Sequence, residues 1–101
     1  MNPALPKFYY VYILKSNKSN QLYIGCTSNL ATRVNEHNSG KCLSSKRYLP
    51  WRLVYYEAYL SKVDAFGREK KLKQFGSSVA KLKQRIRNSL NEREGLDERK
   101  K

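Results

Sequence analysis

Two segments near the N-terminus indicate the strands on which the fold is built. They are Phe8-Tyr-Tyr-Val-Tyr-Ile-Leu-Lys15 and, six residues later, Leu22-Tyr-Ile-Gly-Cys26. Aromatic and β-branched residues fill the first segment, which is typical of a strand buried on both faces. The intervening residues, Ser-Asn-Lys-Ser-Asn-Gln, favour a turn. The two segments therefore predict a β-hairpin with a loop longer than the two-residue minimum.

Tyrosines stand in both arms of this hairpin. If the loop folds symmetrically about Asn17 and Lys18, Tyr12 lies directly opposite Tyr23, and directly opposed residues project from one face of a sheet. Gly25, near the end of the second strand, lets the backbone turn closely into the next element. Whether the two tyrosines pack or take part in chemistry depends on what the rest of the chain brings to that face.

A helix of about ten residues is predicted after the hairpin. Residues 27–29 offer N-cap oxygens, and Gly40 is a natural residue just beyond the C-terminal end. One face of this helix carries, at helical spacing, Leu30, Arg33, Val34 and His37. If the helix packs through its two apolar residues, it carries an arginine and a histidine into the same surroundings.

The remaining residues predict a third strand and two more helices. The strand covers residues 52–60, and Ser61 is predicted to cap a helix that runs to about residue 75. On this helix an acidic residue, Glu69, shares an otherwise apolar face with Ala65, Phe66 and Leu72. Ser78 is predicted to cap the last helix, from Val79 to about Leu90.

Composition indicates one small basic domain. The 101 residues include 21 Lys and Arg against 8 Asp and Glu, a formal net charge of +13. Such an imbalance favours a polyanionic partner, nucleic acid before an acidic membrane surface, although many small basic proteins merely carry solvated lysines. We predict an N-terminal arm over residues 1–7, a domain over 8–90, and a charged, disordered tail over 91–101.

Several classes of protein are disfavoured. No segment approaches the 18 to 20 apolar residues that roughly suffice to span a bilayer, and the N-terminus lacks a signal-peptide core, so we expect a cytoplasmic protein without a membrane partner. Cys26 and Cys42, with the single histidine His37, fit no zinc motif. We read both cysteines as free thiols, with no disulfide-linked partner, and the sequence leaves the oligomeric state open.

The order of motifs resembles a known family of nucleases. Tyr10-Val-Tyr12 and Tyr23-Ile-Gly25 are similar to the GIY-YIG signature, with Tyr10-Val11 in place of the usual Gly-Ile. The likeness continues, over most of the chain from Tyr9 to Leu90, through Arg33, His37-Asn-Ser-Gly40, Pro50-Trp-Arg-Leu-Val-Tyr55 and Arg68-Glu-Lys-Lys-Leu-Lys73. The chain looks most like small stand-alone bacterial members related to the catalytic module of the bacterial excision-repair endonuclease.

This resemblance implies both a fold and a reaction. The fold is α+β, a three-stranded antiparallel sheet flanked by about three helices. The reaction is metal-dependent hydrolysis of phosphodiester bonds, with DNA a more suitable substrate than RNA and DNA repair one setting. One divalent ion, Mg²⁺ or Mn²⁺, is implied, because such ions prefer oxygen ligands and are held by as little as one carboxylate plus substrate phosphate.

The resemblance also implies roles for individual residues. Glu69 would hold the metal, and Arg33 would bind the phosphate through its planar guanidinium. Tyr12 would act as general base with Tyr23 orienting water or phosphate, provided that positive charge lowers the pKa of Tyr12 from about 10. Lys15 is assigned to binding phosphate or to activating a tyrosine, and His37 to relaying a proton or acting as a second base. The sequence equally allows Glu69 to be a structural ion-pair partner, and His37 to be an exposed histidine.

Substrate binding is assigned to a separate set of basic residues. Those in the loop after the first helix and on the last two helices would neutralise phosphates without reading sequence. They are Lys41, Lys46, Arg47, Lys73, Lys81, Lys83, Arg85 and Arg87. Asn88 matches a family asparagine only doubtfully. The alternatives are a weakly active or inactive nucleic-acid-binding module that keeps the fold, and a basic RNA- or ribosome-associated protein.

Overall fold

A computed structural model describes residues 5–92 of the chain. The elements in chain order are β1 Tyr9–Ser16, β2 Leu22–Thr27, α1 Leu30–Asn38, a short 3-10 turn Lys46–Tyr48, β3 Trp51–Tyr59, α2 Lys62–Gln74, α3 Gly76–Arg85 and α4 Arg87–Asn91. The predicted arm at 1–7 and tail at 91–101 lie mostly outside the described residues. Within residues 5–92, no helix is both long and apolar enough to cross a membrane.

The three strands form one antiparallel sheet in the order β2-β1-β3. The α+β fold with a three-stranded antiparallel sheet is therefore confirmed. As the central strand, β1 is covered on both faces, and its residues Val11 to Leu14 are all buried. This explains why β1 has a continuous apolar run instead of the alternation of a one-sided strand.

The predicted hairpin register is wrong, although Tyr12 and Tyr23 still project from the same face of the sheet. Tyr12 pairs with Gly25, and Tyr23 pairs with Leu14. The loop is centred one residue later than predicted because the Ser16 hydroxyl accepts hydrogen bonds from the Lys18 and Ser19 amides at 3.0 and 3.2 Å. Side chains alternate with a period of two, so a slip of two residues keeps Tyr23 on the Tyr12 face.

Helices cover both faces of the sheet. On one face α2 and α3 pack on β1, in a cluster formed by Val11, Ile13, Ala65, Leu72, Leu82 and Ile86. On the other face α1 packs through Leu30 and Val34 against Tyr12, Leu14 and Trp51. Helices α1 and α2 therefore lie on opposite sides of β1.

Helix boundaries agree with the prediction at three ends and differ at two. Asn29 and Ser61 cap α1 and α2 as N-cap residues, and Gly40 has a φ of 80° just beyond α1. Ser78 is not an N-cap, because α3 already begins at Gly76. The predicted last helix is interrupted at Ile86, whose φ of −110° and ψ of 26° let both Ile86 and Leu90 contact the core.

The apolar face expected on α2 is narrower than predicted. Ala65 and Leu72 are buried, but Phe66 is 51 % exposed, with the Lys62 ammonium 5.4 Å from its ring centroid. A helix needs only a narrow apolar stripe to rest on a flat sheet, so residues at the margin of the stripe point to solvent. Glu69 is half-buried beside that stripe.

Candidate active site

Tyr12 lies at the centre of the α1 face, on the middle strand of the sheet. Its ring lies over Gly25 of the neighbouring strand, so closely that a Cβ atom on Gly25 would come within 2.5 Å of the ring carbon Cζ. Side chains larger than hydrogen at residue 25 would displace the ring. A glycine is therefore needed at residue 25 to leave room for the Tyr12 ring. This is a more specific explanation for Gly25 than the close backbone turn inferred from the sequence.

A chain of hydrogen bonds starts at the Tyr12 hydroxyl. Tyr12 Oη lies 2.9 Å from His37 Nε2, and His37 Nδ1 lies 2.6 Å from Ser45 Oγ. His37 and Ser45 are both 0 % exposed, and Tyr12 is 1 % exposed. The interpretation of His37 as an exposed histidine is therefore wrong, since the imidazole is buried with a partner at each ring nitrogen.

Burial and charge act in opposite directions on Tyr12. Burial raises the pKa of Tyr12 to about 12, although the hydrogen bond and positive charge of Arg33 act to lower it. Arg33 therefore lowers the pKa of Tyr12, as expected of a nearby cation. Desolvation raises this pKa by more, so the net change is upward. Tyr12 is a neutral phenol at physiological pH unless a base accepts its proton.

His37 is suited to accept that proton. Burial lowers the pKa of His37 below its ordinary value of 6.5, and the positive charge of Arg33 lowers it further. The imidazole is consequently neutral at pH 7, with one ring nitrogen available as an acceptor. Arg33 stays charged, because the Glu36 carboxylate, 2.9 Å from its Nη1, and the Tyr12 hydroxyl raise the pKa of Arg33 above its ordinary value.

Tyr23 completes the cluster from the edge strand β2. Its ring is roughly parallel to that of Tyr12, with centroids 6.4 Å apart, and it meets the His37 ring edge-on at 4.5 Å. Its hydroxyl lies 3.5 Å from Ser44 Oγ. We call Tyr12, Tyr23, Arg33, His37 and Ser45 the Tyr12 cluster.

Ser45 is the member of the Tyr12 cluster that sequence reasoning missed. It belongs to a Ser-rich loop that was read only as a basic, phosphate-binding segment. Trp51 holds this loop against the sheet, since its Nε1 donates to the Ser45 carbonyl oxygen at 2.8 Å. Nothing in the local pattern distinguishes Ser45 from Ser44 or Ser39, because its burial results from packing between loop, strand and helix.

Lys15 lies away from the Tyr12 cluster. Strand alternation puts Lys15 on the face of Val11 and Ile13, opposite to Tyr12, and its Nζ lies 3.4 Å from the Ser19 carbonyl oxygen. The proposed role of Lys15 in activating Tyr12 is not supported by this arrangement. Proximity in sequence was misleading, because residues three apart on a strand project from opposite faces.

Glu69 also lies across the sheet from the Tyr12 cluster. Its Oε2 accepts from Lys73 Nζ at 3.0 Å, and its side chain is 22 % exposed. Burial raises the pKa of the Cys26 thiol, and the nearby Glu69 carboxylate raises it further. Because Cys26 packs with the α2 core and not with Tyr12, Glu69 approaches the edge strand β2 from the opposite face.

The donor set at Glu69 is compatible with a hard divalent cation, but it is minimal. Among residues 5–92, no three His, Cys, Asp or Glu side chains are grouped so that they could hold a metal together. A single partly exposed carboxylate suits Mg²⁺ or Mn²⁺ when waters and a substrate phosphate fill the remaining positions. Lys73 Nζ lies 3.0 Å from Glu69 Oε2, so a metal that binds this carboxylate would have to share it with the lysine.

A second carboxylate, Glu57, is already fully engaged. It receives hydrogen bonds from the Arg68 guanidinium at 2.9 Å and from the hydroxyls of Tyr55 and Tyr59. Burial alone would raise the pKa of Glu57, but these bonds hold it below its ordinary value. This network ties β3 to α2, and it gives Tyr55 and Tyr59 a structural role that the sequence did not reveal.

The predicted substrate-binding cations are divided between the two faces. The Arg47 guanidinium lies 5.6 Å from the ring centroid of Tyr48, in the loop beside α1. On the α2 face Arg68, Lys81 and Arg85 line a concavity of about 210 Å³. Asn88 lines a groove between α4 and β3 with Arg52, and that groove contains no residue of the Tyr12 cluster.

Comparison with known proteins places the chain in a family. Residues 8–84 match the family described as the GIY-YIG catalytic domain. The chain belongs to the GIY-YIG family. A GIY-YIG domain is a nuclease-type domain that implies a nucleic-acid substrate, and GIY-YIG nucleases generally use divalent metals.

The similar proteins include small stand-alone bacterial members of the GIY-YIG superfamily. A UPF0213 protein of Staphylococcus haemolyticus is 45% identical over 76 residues, 74% of this chain and 90% of that protein. One of Clostridium perfringens is 42% identical over 66 residues, 64% of this chain and 70% of that protein. A solution NMR structure of a UPF0213 protein from Bacillus halodurans has 31% identity and a TM-score of 0.47, and covers 75% of this chain and 85% of that one.

Proposed function

We propose that this protein is a divalent-metal-dependent endonuclease that hydrolyses phosphodiester bonds in DNA, with Tyr12 as the general base. The observation that carries the proposal is the 2.9 Å contact between Tyr12 Oη and His37 Nε2, beside the Arg33 guanidinium. A phenol with a pKa of about 12 is a poor base by itself. A neutral imidazole at hydrogen-bond distance supplies the acceptor that the phenol needs.

Proton transfer then runs along the existing hydrogen bonds. Tyr12 Oη takes a proton from the attacking water while its own proton passes to His37 Nε2. The oxygen–hydrogen bond of the water breaks as the new oxygen–phosphorus bond forms. The bond from phosphorus to the leaving oxygen breaks, its electron pair stays on that oxygen, and the oxygen takes a proton from solvent water. The protonated imidazole keeps both partners, because Tyr12 Oη and Ser45 Oγ can each accept from it.

Three further residues act on the phosphate, two of them directly and one through the metal. The Arg33 guanidinium, permanently charged, binds phosphate oxygens and offsets the negative charge that develops on them. The Tyr23 hydroxyl, beside Tyr12 on the same face, orients water or phosphate. Glu69 would hold the divalent ion, which when bound offsets charge on the phosphate and the leaving oxygen.

The test is a plasmid-nicking assay with Mg²⁺ or Mn²⁺ on four purified variants and the wild type. Tyr12→Phe should lower kcat by about 10²- to 10⁴-fold, the usual contribution of a general base. Glu69→Gln should lower cleavage at least about 100-fold, because a metal contributes several kcal/mol of charge stabilisation. Tyr9→Phe, on β1 but facing α2, and Asp64→Asn, on α2, are the matched controls and should cleave like the wild type.

Each outcome decides a different part of the proposal. Full cleavage by Glu69→Gln would remove Glu69 from metal binding. Full cleavage by Tyr12→Phe at saturating substrate would reduce Tyr12 to packing. If the wild type binds nucleic acid but leaves plasmid intact with both metals, the protein is a binding module that retains the fold.

A further inference from the structure

The buried hydrogen-bond chain continues past His37 into the loop. Ser45 Oγ lies 2.6 Å from His37 Nδ1 and 3.4 Å from the Cys42 carbonyl oxygen. Buried polar groups in proteins nearly always have a hydrogen-bond partner, so each donor in the chain must meet an acceptor. This requirement determines which ring nitrogen of His37 carries the hydrogen.

The donors can be assigned by starting at the loop. The Ser45 hydroxyl donates to the Cys42 carbonyl oxygen at 3.4 Å, so its oxygen accepts from His37 Nδ1, which carries the imidazole hydrogen. His37 Nε2 then carries no hydrogen and accepts from the Tyr12 hydroxyl at 2.9 Å. In the opposite tautomer Nε2–H and the Tyr12 hydroxyl would each direct a hydrogen into the same contact, and the Cys42 carbonyl would lose the Ser45 hydroxyl as a donor and keep only the Ser45 backbone amide.

We propose that Ser45 is a positioning residue that holds His37 in the Nδ1–H tautomer and so directs Nε2 at the Tyr12 hydroxyl as a proton acceptor. The inference rests on the proposed function for its consequence in catalysis, but the tautomer itself is a property of the folded chain. An imidazole without partners prefers the Nε2–H form. The hydrogen bond to Ser45 therefore selects the form that lets Tyr12 lose its proton.

The loop holds Ser45 in a fixed place for this role. The Ser45 backbone amide donates to the Cys42 carbonyl oxygen at 3.1 Å, and its own carbonyl oxygen accepts from Trp51 Nε1 at 2.8 Å. Trp51 is in turn joined to the end of α1, because the Asn38 side chain both accepts from the Trp51 amide at 2.7 Å and donates to its carbonyl oxygen at 2.8 Å. The same bonds fix the helix that carries His37 and the loop that carries Ser45.

The groups that influence His37 come from every element around it. Arg33 and Glu36 lie on α1, Tyr12 on β1 and Tyr23 on β2, and the Cys42 thiol acts on both Tyr12 and Arg33 from the loop. Of these, Arg33 opposes protonation of the imidazole and Glu36 favours it. The measurement is best made above pH 7.5, where the imidazole is neutral and only its tautomer is in question.

The test uses the fact that His37 is the only histidine in the chain. Long-range ¹H–¹⁵N NMR spectra of the uniformly ¹⁵N-labelled, metal-free protein report the two ring nitrogens without assignment ambiguity. The wild type should show a protonated Nδ1 and an unprotonated Nε2. Ser45→Ala should shift the equilibrium toward Nε2–H, and Ser45→Thr, which keeps the hydroxyl, should retain the wild-type pattern.

Cleavage measurements complete the test. Ser45→Ala should lower kcat about 10- to 100-fold, by analogy with the loss of an outer hydrogen-bond partner from a metal-bound histidine, with KM unchanged because Ser45 touches no phosphate in the proposed mechanism. Ser77→Ala, an exposed serine on α3, should leave kcat unchanged. The fluorescence of the single Trp51, whose indole bond is to the Ser45 backbone, checks that each variant is folded.

Two results would overturn the inference. The first is a wild type in the Nε2–H form, which decides the question even if Ser45→Ala fails to fold. The second is a folded Ser45→Ala whose ring ¹⁵N shifts and kcat match those of the wild type. Both differ from failure of the proposed function, in which the wild type would not cleave although the Nδ1–H tautomer was present.

Discussion

At the scale of single residues, the surroundings of Tyr12 and His37 change what their side chains can do. Burial disfavours the charged form of each side chain, so it raises the pKa of the Tyr12 phenol and lowers the pKa of the His37 imidazole. A neutral donor and a neutral acceptor thus face each other at 2.9 Å. The phenol would be neutral near pH 7 with its ordinary pKa of about 10 as well, but a fully neutral imidazole depends on burial, since a free histidine is partly protonated at about pH 6.5 to 7.

The depressed pKa of His37 predicts a pH dependence of stability. Between its folded pKa and 6.5 the unfolded chain binds more protons at this residue, so the free energy of unfolding rises with pH. The contribution of the neutral His37 to the free energy of unfolding is complete above about pH 6.5. It is lost as the pH falls from 6.5 to the folded pKa of His37. Urea unfolding from pH 5 to 8 should show this slope in the wild type and a smaller slope in His37→Gln.

The control for this prediction lies at lower pH. The pKa of Glu57 is also depressed, below 4.5, so its contribution is present above that value and is lost only as the pH falls further. Both proteins should therefore lose stability alike in acid below about pH 4.5. Equal slopes for the wild type and His37→Gln between pH 5 and 6.5 would contradict the assignment of a buried, neutral His37.

At the scale of elements, the hairpin and α1 build the site by packing together. Leu30 and Val34 attach α1 to the sheet, and helical spacing then brings Arg33 and His37 to Tyr12. This part of the site could be predicted, because periodicity on one helix and one strand determines which residues share a face. The sequence could not predict that α1 and α2 lie on opposite faces of the sheet. The face that a helix covers depends on the connections between elements and on which face is already covered.

The hairpin packing predicts the effect of a change at Gly25. Gly25→Ala should lower the free energy of unfolding by about 1–3 kcal/mol, because the added Cβ overlaps the Tyr12 ring in a filled core. It should also weaken the Tyr12–His37 contact and therefore reduce cleavage. Denaturant unfolding and the nicking assay measure the two effects.

Gly67 provides the matched control. It lies in α2, and among residues 5–92 no atom outside the backbone of that helix and the two neighbouring residues lies within 4 Å of the place that an alanine Cβ would take. Gly67→Ala should therefore raise stability by about 0.5–1 kcal/mol through helix propensity. If Gly25→Ala were as stable as the wild type, the ring of Tyr12 would not occupy the space above residue 25.

At the scale of the whole molecule, positive charge surrounds a small fold. The chain has a net charge of +13, and among the described residues cations lie on both helical layers, with Arg47 near α1 and Lys81 and Arg85 on the α2 face. A surface of this kind supplies affinity for phosphates from several directions and little sequence selectivity. The separation of Glu69 from the Tyr12 cluster means that a substrate touching both would have to lie along the edge strand β2.

This charge distribution predicts a strong salt dependence of binding. The logarithm of the association constant for duplex DNA, measured in EDTA to prevent cleavage, should fall linearly with the logarithm of salt concentration. A double change, Lys81→Ala with Arg85→Ala, should make the slope shallower by about 1 to 2, since each lost phosphate contact removes close to one unit. Lys18→Ala, in the exposed hairpin loop, is the control; an equal effect there would show that the α3 cations are not specific contacts.

Local periodicity and turn chemistry were enough to predict the three strands, the helix around Arg33 and His37, and the face shared by Tyr12 and Tyr23, whereas the α+β class was implied by the resemblance to the GIY-YIG family. Long-range packing was needed to reveal that His37 is buried between Tyr12 and Ser45, that Gly25 makes room for a ring, and that Glu69 lies across the sheet. The physical reason is that burial and pairing depend on residues distant in sequence, such as Ser45 and Trp51, whose positions no local pattern encodes.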